Sequence, residues 1–378
     1  MRICIDARSL RDTPTGLGRY AAHLVSHISR LDQQNEYIVI RRPSRHGTIA
    51  EQDNFREIAM SYDISSLRNT LGGARIINAL QADIYHSLFH FLPLGVEAGQ
   101  IVISLHDLIW VDHPRLADNN RLKRWAKGSL GKLGIRNAIR TADHIIAVSA
   151  STRQAALDDH ALAAEKVTAI HHGVAPEWGF GFDNAETELP EIYRDRRFIF
   201  GLGNSLPYKN LPRLVRAFAE LATSDPDLLL VLAGRGEGNP QLVQLAHQLG
   251  LSDRIHLAGQ LSDAQIRTCF TRALFFAFPS LIEGFGMPVL EAMASGCPVL
   301  TSNRSSLAEI AGNDAELVNP DEIGSIAAGM RRLLTNSALR QHLGRQGQER
   351  AATFTWERTA HQTIQVYNRL VSAHYRAP

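Results

Sequence analysis

Glu283 and Glu291 flank the run Gly284-Phe285-Gly286-Met287-Pro288-Val289-Leu290. Upstream, Ala273-Leu274-Phe275-Phe276-Ala277-Phe278 is an uninterrupted apolar run that reads as a buried strand. The order is strand, Gly-rich turn, helix start. Such a junction aims backbone N–H groups and the positive end of a helix at an anion. Glu283 falls on the turn and Glu291 on the first turns of the helix. Two acids at this separation also arise by chance, so the information lies in the whole string.

Three other loops have the composition of binding loops. Gly201-Leu202-Gly203-Asn204-Ser205-Leu206-Pro207-Tyr208-Lys209-Asn210 follows an apolar strand; its glycines permit a tight turn, and Lys209 puts a point charge at a helix start. His106-Asp107 follows the strand-like Ile101 to Leu105. A histidine at a strand end of an α/β domain stands where ligands bind; a hydrogen-bonded structural histidine, with Asp107 as a helix cap, is the plainer alternative. Gly16-Leu17-Gly18-Arg19-Tyr20-Ala21 is a formal G-x-G-x-x-A match. A polar loop separates it from the first strand, and Arg41-Arg42 rather than an acid follows the second. The glycines suit either a backbone approach to a phosphate or an ordinary helix entry. Asp225-Pro226-Asp227 has the form of a metal-binding D-x-D, but its central proline reads as a connecting turn. No histidine spacing suggests a metal, and none is expected.

These loops need a scaffold of alternating strands and helices. Strand signals fall at Arg2 to Asp6, Tyr37 to Ile40, Ile101 to Leu105, His144 to Val148 and Val167 to Ile170. They recur at Phe198 to Leu202, Leu228 to Ala233, Arg254 to Leu257, Leu274 to Phe278 and Pro298 to Thr301. Helical periodicity lies near 17–31, 120–142, 150–159, 210–223, 239–250, 262–271, 286–295 and 321–352. The alternation predicts an α/β protein with parallel sheets, built as two Rossmann-like domains facing each other across a cleft. A chain of 378 residues suits two domains. The predicted division is 1–176, a linker at 177–196 that mixes Gly, Pro and acids, 197–355, and a terminal helix over 356–378.

Composition narrows the function. A net charge of +2 gives no mandate for nucleic acid. Cys4, Cys269 and Cys297 are scattered, which points to a reducing cytoplasm rather than a disulfide framework. The first residues turn polar too early for a signal peptide, and no apolar run reaches the roughly 20 residues that span a bilayer. Any membrane association is therefore expected to be peripheral, on the inner face of the cell membrane. Residues 120–140 carry Lys123, Arg124 and Lys127 among other basic residues and no acid. That run reads equally as a lipid-facing or acceptor-facing basic helix and as a solvated face.

The string from Pro279 to Pro298 resembles the E-x7-E signature of retaining nucleotide-sugar glycosyltransferases with the GT-B fold, glycosyltransferase family 4. His106-Asp107-Leu108 and the Lys209-Asn210 pair have counterparts in that family, and the stretch from Asp6 to Tyr20 is similar to bacterial mannosyltransferases of polysaccharide and O-antigen assembly. The resemblance implies a nucleotide-sugar donor, GDP-mannose being expected, and a lipid-linked or growing glycan acceptor. It implies no cofactor and a terminal helix that crosses back onto the first domain. His106, Glu283 and Lys209 become the catalytic candidates. Gly16, Gly18, Gly203, Asn204, Phe285, Gly286, Met287 and Glu291 become donor-binding candidates, with Glu291 on the ribose and Glu283 on the sugar hydroxyls. The chain departs from the family at Tyr208 and Asn204, where relatives often carry arginine, so the second cation of the diphosphate site is unidentified. Two other readings stay open: an NADP-dependent oxidoreductase built on Gly16 to Ala21 with Arg41-Arg42, and a non-catalytic subunit of the same fold that binds a sugar nucleotide or glycan.

Overall fold

A computed structural model describes the protein except for residues 11–14, 44–46, 118–131, 161, 180–192, 194–195, 235–238 and 375–378. The chain forms two compact units. Unit 1 comprises Met1–Asp112, Trp125–Gly173 and Thr355–Pro378; unit 2 comprises His113–Arg124 and Val174–Phe354.

Unit 1 is built on seven strands: β1 (Arg2–Asp6), β2 (Glu36–Arg41), β3 (Phe55–Ala59), β4 (Ile84–Ser87), β5 (Gln100–Leu105), β6 (His144–Ala147) and β7 (Val167–Ala169). They lie in the order β3-β2-β1-β4-β5-β6-β7, every neighbouring pair parallel. Unit 2 has six: β8 (Phe198–Leu202), β9 (Leu229–Ala233), β10 (Ile255–Gly259), β11 (Phe276–Phe278), β12 (Val299–Ser302) and β13 (Glu316–Val318). Their order is β10-β9-β8-β11-β12-β13, again parallel throughout. Parallel strands are covered on both faces, so central strands such as Leu229–Ala233 are apolar and buried end to end. In each sheet the strand order reverses beside the first strand. The carboxyl ends of β1 and β4, and of β8 and β11, therefore flank a switch point where α/β sheets bind ligands.

The covering helices follow from their apolar stripes. In Leu211–Ala222 the residues Leu211, Leu214, Val215, Phe218 and Leu221 are buried, the spacing of one helix face, and Pro212 occupies the first turn. This face packs on Leu230, Leu232 and the helix Ile323–Thr335. The terminal helix Trp356–His374 belongs to unit 1 and lies against Gly16–Leu31. Its Tyr367 hydroxyl meets His86 Nδ1 at 2.6 Å, and the Trp356 ring stacks on His23 at 5.0 Å.

Several elements differ from the sequence pattern. The run read as one helix over 321–352 is two, Ile323–Thr335 and Ser337–Ala351, because the Asn336 side chain accepts from Leu339 N and starts a new helix. β11 begins at Phe276 rather than Leu274, since Ala273 caps the helix Asp263–Arg272. β3, β4, β13 and the helix Leu67–Asn78 are not among the elements expected from the pattern: the strands have three to five residues, and the helix exposes Leu67 and Leu71 and contains Gly72-Gly73. The expected linker 177–196 falls largely outside the described residues. So do Lys123, Arg124 and Lys127; the described remainder of that basic run, 132–141, is helical. No helix among the described residues is long and apolar enough to cross a membrane.

Candidate functional site

Unit 2 gathers its candidates at the β8/β11 switch point. After β8 the chain passes through Gly203 and Asn204 into a 3-10 turn, Pro207–Lys209, and then Asn210. After β11 it runs through Pro279 and Ser280 to Glu283 and the helix Met287–Ala294. The two loops meet where Lys209 Nζ donates to Glu283 Oε1 at 2.8 Å. The ammonium also sits 4.9 Å from the ring centroids of both Tyr208 and Phe278. Only 14% of the lysine side chain and 12% of the glutamate are exposed, so the pair is poorly screened. Tyr208 thus supplies a ring face to this cation.

The turns are held by bonds that sequence patterns do not reveal. Asn210 is buried and left-handed, with φ 59°. Its Nδ2 donates to Pro279 O at 2.9 Å and to Pro320 O at 2.7 Å, tying together the loops after β8, β11 and β13. Asn210→Ala leaves both carbonyls without this donor and puts alanine in a backbone well that disfavours it. It should cost about 2–4 kcal/mol of stability. Urea unfolding of the variant checks this; an unchanged midpoint would remove Asn210 from the framework. Ser305 and Ser306 hydroxyls both donate to Glu283 O, at 2.8 and 2.9 Å, and fix the glutamate's backbone. At Gly286, φ is 112° and a Cβ would come within 2.7 Å of Leu307 Cδ2, so the turn into the helix requires glycine. At Gly234 an added Cβ would lie 1.8 Å from Gly203 O, which is why two loops can pass at this end of the sheet. Between them is a cavity of about 30 Å³ lined in part by Gly203, Asn204, Leu232, Gly234 and Leu257.

Of the remaining donor-binding candidates in this unit, Phe285 is buried with its ring 6.4 Å from Phe354, and Met287 opens the helix. Glu291 lies on the inner side of the helix and is 4% exposed. The arginines beside these loops are engaged: Arg213 Nη1 donates to Asn210 Oδ1, and Arg304 pairs with Asp321 and Asn319. Asp225 pairs with Arg197 at 3.2 Å, and Asp225 O and Asp227 O accept from Arg254 and Arg196, so the D-x-D segment is a braced turn.

Unit 1 holds His106, Gly16 and Gly18. Thr15 caps the first helix by accepting from Gly18 N at 3.0 Å. A Cβ on Gly18 would crowd Ser9 O at 3.3 Å, while Gly16 has open space. One turn on, Tyr20 lies edge-on to His106, with ring centroids 4.8 Å apart at 87°. The Tyr20 hydroxyl is held by Ser104, which also meets His86. His106 Nε2 bonds Leu88 O at 3.0 Å. A carbonyl can only accept, so Nε2 carries the proton and Nδ1 keeps its lone pair. Burial pushes the His106 pKa down to about 4, outweighing the opposite effects of the Leu88 bond and Asp107, so the ring is neutral near pH 7. Asp107 Oδ1 does accept from Ile109 N, as the capping alternative had it. Tyr20 enters the sequence pattern only as part of the run from Gly16 to Ala21, and Ser104 and His172, whose ring lies 4.7 Å from Tyr20 and 5.7 Å from Trp356, carry no motif signal. Arg41 and Arg42, the residues that suggested a 2′-phosphate reader, are paired with Glu57 and Asp63 at 3.0 Å each.

A glycosyltransferase family 4 model matches residues 14–178, and a glycosyl transferases group 1 model matches residues 184–350. Among curated proteins, the MMP alpha-(1->4)-mannosyltransferase of Mycolicibacterium hassiacum is 31% identical over 62% of this chain, and the match spans 56% of that protein. The serotype-specific mannosyltransferase WbdA of Escherichia coli is 31% identical over 61% of this chain and 29% of its own length. The O-antigen chain mannosyltransferase B of Escherichia coli is 24% identical, with 98% of this chain and all of that protein covered. The chain thus spans about half or less of the first two relatives. In fold, it is similar to sucrose-phosphate synthase from Thermosynechococcus elongatus, with TM-score 0.75, 21% identity and coverage of 98% and 99%. It is also similar to WaaG, a glycosyltransferase involved in lipopolysaccharide biosynthesis, with TM-score 0.72, 16% identity and coverage of 96% and 99%.

Proposed function

The chain belongs to the GT-B glycosyltransferases, a family 4 domain followed by a group 1 domain, and we propose that it transfers a hexose from a nucleotide sugar to a glycan or lipid-linked acceptor with retention of configuration. Mannose from GDP-mannose is the proposed donor, and bacterial polysaccharide or lipopolysaccharide assembly the proposed setting. The mannosyltransferase relatives support that choice. The observation that carries the reading is the Lys209–Glu283 pair at the β8/β11 switch point, beside the positive end of Met287–Ala294.

In this reading the largest electrostatic task is to stabilise the departing nucleotide diphosphate. Lys209 and the amides at Phe285, Gly286 and Met287 take up that charge. Glu283 accepts from the sugar hydroxyls, Glu291 from the ribose, and the Gly203-Asn204 turn lets the backbone approach the donor. His106, neutral and with a free choice of partner at Nδ1, accepts from a hydroxyl near the reacting carbon. Gly16 and Gly18, in the first turn of the helix Gly16–Leu31, let a ligand approach the backbone of unit 1. The leaving phosphate takes the acceptor's proton, so no protein base is needed. The reaction is proposed to be metal-independent: the Asp225 carboxylate of the D-x-D pairs with Arg197, and Lys209 supplies the charge a cation would bring.

The test is release of GDP from GDP-mannose with an oligomannoside acceptor, in excess chelator. Turnover that survives chelation is expected. Turnover abolished by chelator and restored by manganese would overturn the metal-independent step. A thermal-shift panel of nucleotide sugars identifies the donor, since a ligand that binds only the folded state raises the melting point. A thermal shift with a nucleotide sugar but no turnover of it would leave the non-catalytic reading.

A further inference from the structure

His90 lies in the loop after β4, at the unit 1 switch point, and has no part in the reading above. It is 5% exposed, yet its Nδ1 is sealed from solvent with no hydrogen-bond partner. An unmet buried ring nitrogen is destabilising and calls for a reason. The loop around it is tightly specified. Ser87 Oγ donates to Phe89 O at 2.8 Å and Phe91 O at 3.2 Å, and Leu88 O accepts from His106. Phe89 stacks on His90 at 4.1 Å and on Phe91 at 5.4 Å; both phenylalanines are partly exposed.

The ring's protonation follows from these surroundings. Burial pushes the His90 pKa down to about 3, so it carries one proton near pH 7. A buried N–H without an acceptor is rarer in proteins than an under-used acceptor. The proton therefore belongs on Nε2, the only ring nitrogen a ligand can meet without opening the core. His106, 6.4 Å away between ring centroids, has the opposite arrangement, with Nδ1 as acceptor. A neutral donor and a neutral acceptor thus stand side by side next to a partly exposed aromatic face. Two uncharged imidazoles do not attract phosphate. Alternating C–H faces and hydroxyls, the surface of a pyranose ring, match all three features.

We propose that His90 reads a sugar hydroxyl through Nε2–H, with Phe89 against the sugar's apolar face and His106 accepting from a neighbouring hydroxyl. The sugar belongs either to the donor or to the acceptor of the proposed transfer, and to that extent the assignment rests on that function. His90→Phe retains a ring and removes the unmet nitrogen. Melting temperature should hold or rise, because an apolar ring of similar shape relieves a buried polar atom. His90→Leu gives the same reading should the larger ring not fit. His90→Gln, which keeps a neutral donor, should recover part of the function.

Three measurements decide it. Binding of methyl α-mannoside, followed by saturation-transfer NMR, needs no turnover; it should weaken at least tenfold in His90→Phe while GDP binding stays unchanged. In the transfer assay, a raised KM for GDP-mannose assigns the sugar to the donor, and a raised KM for the oligomannoside assigns it to the acceptor. No binding of methyl α-mannoside by the wild-type protein, equal binding by the variant, or a melting temperature that falls in step with activity would overturn the proposal. Wild-type protein that binds the mannoside through His90 but turns over no nucleotide sugar would instead overturn the transfer function alone.

Discussion

Lys209→Met should lower turnover at saturating donor by on the order of a hundredfold while the protein stays folded. The lysine is the cation between the two loops of the unit 2 switch point, 2.8 Å from Glu283 and over two aromatic faces. A hydrogen bond to a charged group contributes about 1.5–3 kcal/mol, and loss of one donor to a developing anion costs about 10²–10³ in rate. Asn204 and Tyr208 in the same loop bring no positive charge, and Arg213 and Arg304 are engaged elsewhere. Little is left to compensate. Glu283→Gln keeps the cation and should cost roughly ten- to a hundredfold, the scale of one charged hydrogen bond. Because the two side chains touch, the double variant should lose less than the two single losses combined. A folded Lys209→Met protein with at least half the wild-type rate would sink the assignment of the diphosphate to this loop.

Acid should unfold the protein well above the range in which carboxylates protonate. His86 and His90 are pushed down to about 3 and His106 to about 4, while His172 lies well below its usual value. Desolvation is the main cause in each, reinforced by neighbouring histidines around His86, His106 and His172. The unfolded chain protonates these rings near pH 6.5 and the folded chain does not. The stability this represents is complete above pH 6.5 and is lost progressively as pH falls through the folded-state values of about 4 and 3. At pH 5 His86, His90 and His106 each cost roughly 2 kcal/mol and His172 acts in the same direction, so together they remove a large share of the stability of a typical domain. The urea midpoint should be flat from pH 8 to 7 and fall steeply below 6.5. All four rings lie in unit 1, so amide exchange should accelerate there first. A midpoint constant down to pH 5, or faster exchange in unit 2, would contradict this account.

Much of the framework was legible from local patterns. Strands buried on both faces are continuous apolar runs, as in Leu229–Ala233, and parallel sheets follow from strands that alternate with helices. The entry to Met287–Ala294 was legible because Gly286 and Pro288 are residue types that a left-handed turn and a helix start demand. The short strands β3, β4 and β13 were not, since three to five residues hold less than two periods of any pattern.

Sequence by itself determined the alternation of elements, the turn chemistry at Gly286 and the residue types offered at each strand end, because these depend on backbone sterics and on neighbours a few positions away. Tertiary structure alone decided which of those residues meet. Lys209 and Glu283 are 74 positions apart, and His86 and Tyr367 are 281 apart. Asn210 resembles any polar residue at a helix start until the β8-β11-β12-β13 order brings Pro279 and Pro320 to its amide. His106 resembles any strand-end histidine until Tyr20, Leu88 and His90 surround it and set its proton. The physical reason is that strand order is settled by burying all the helices' apolar faces at once, and no local stretch of chain contains that information.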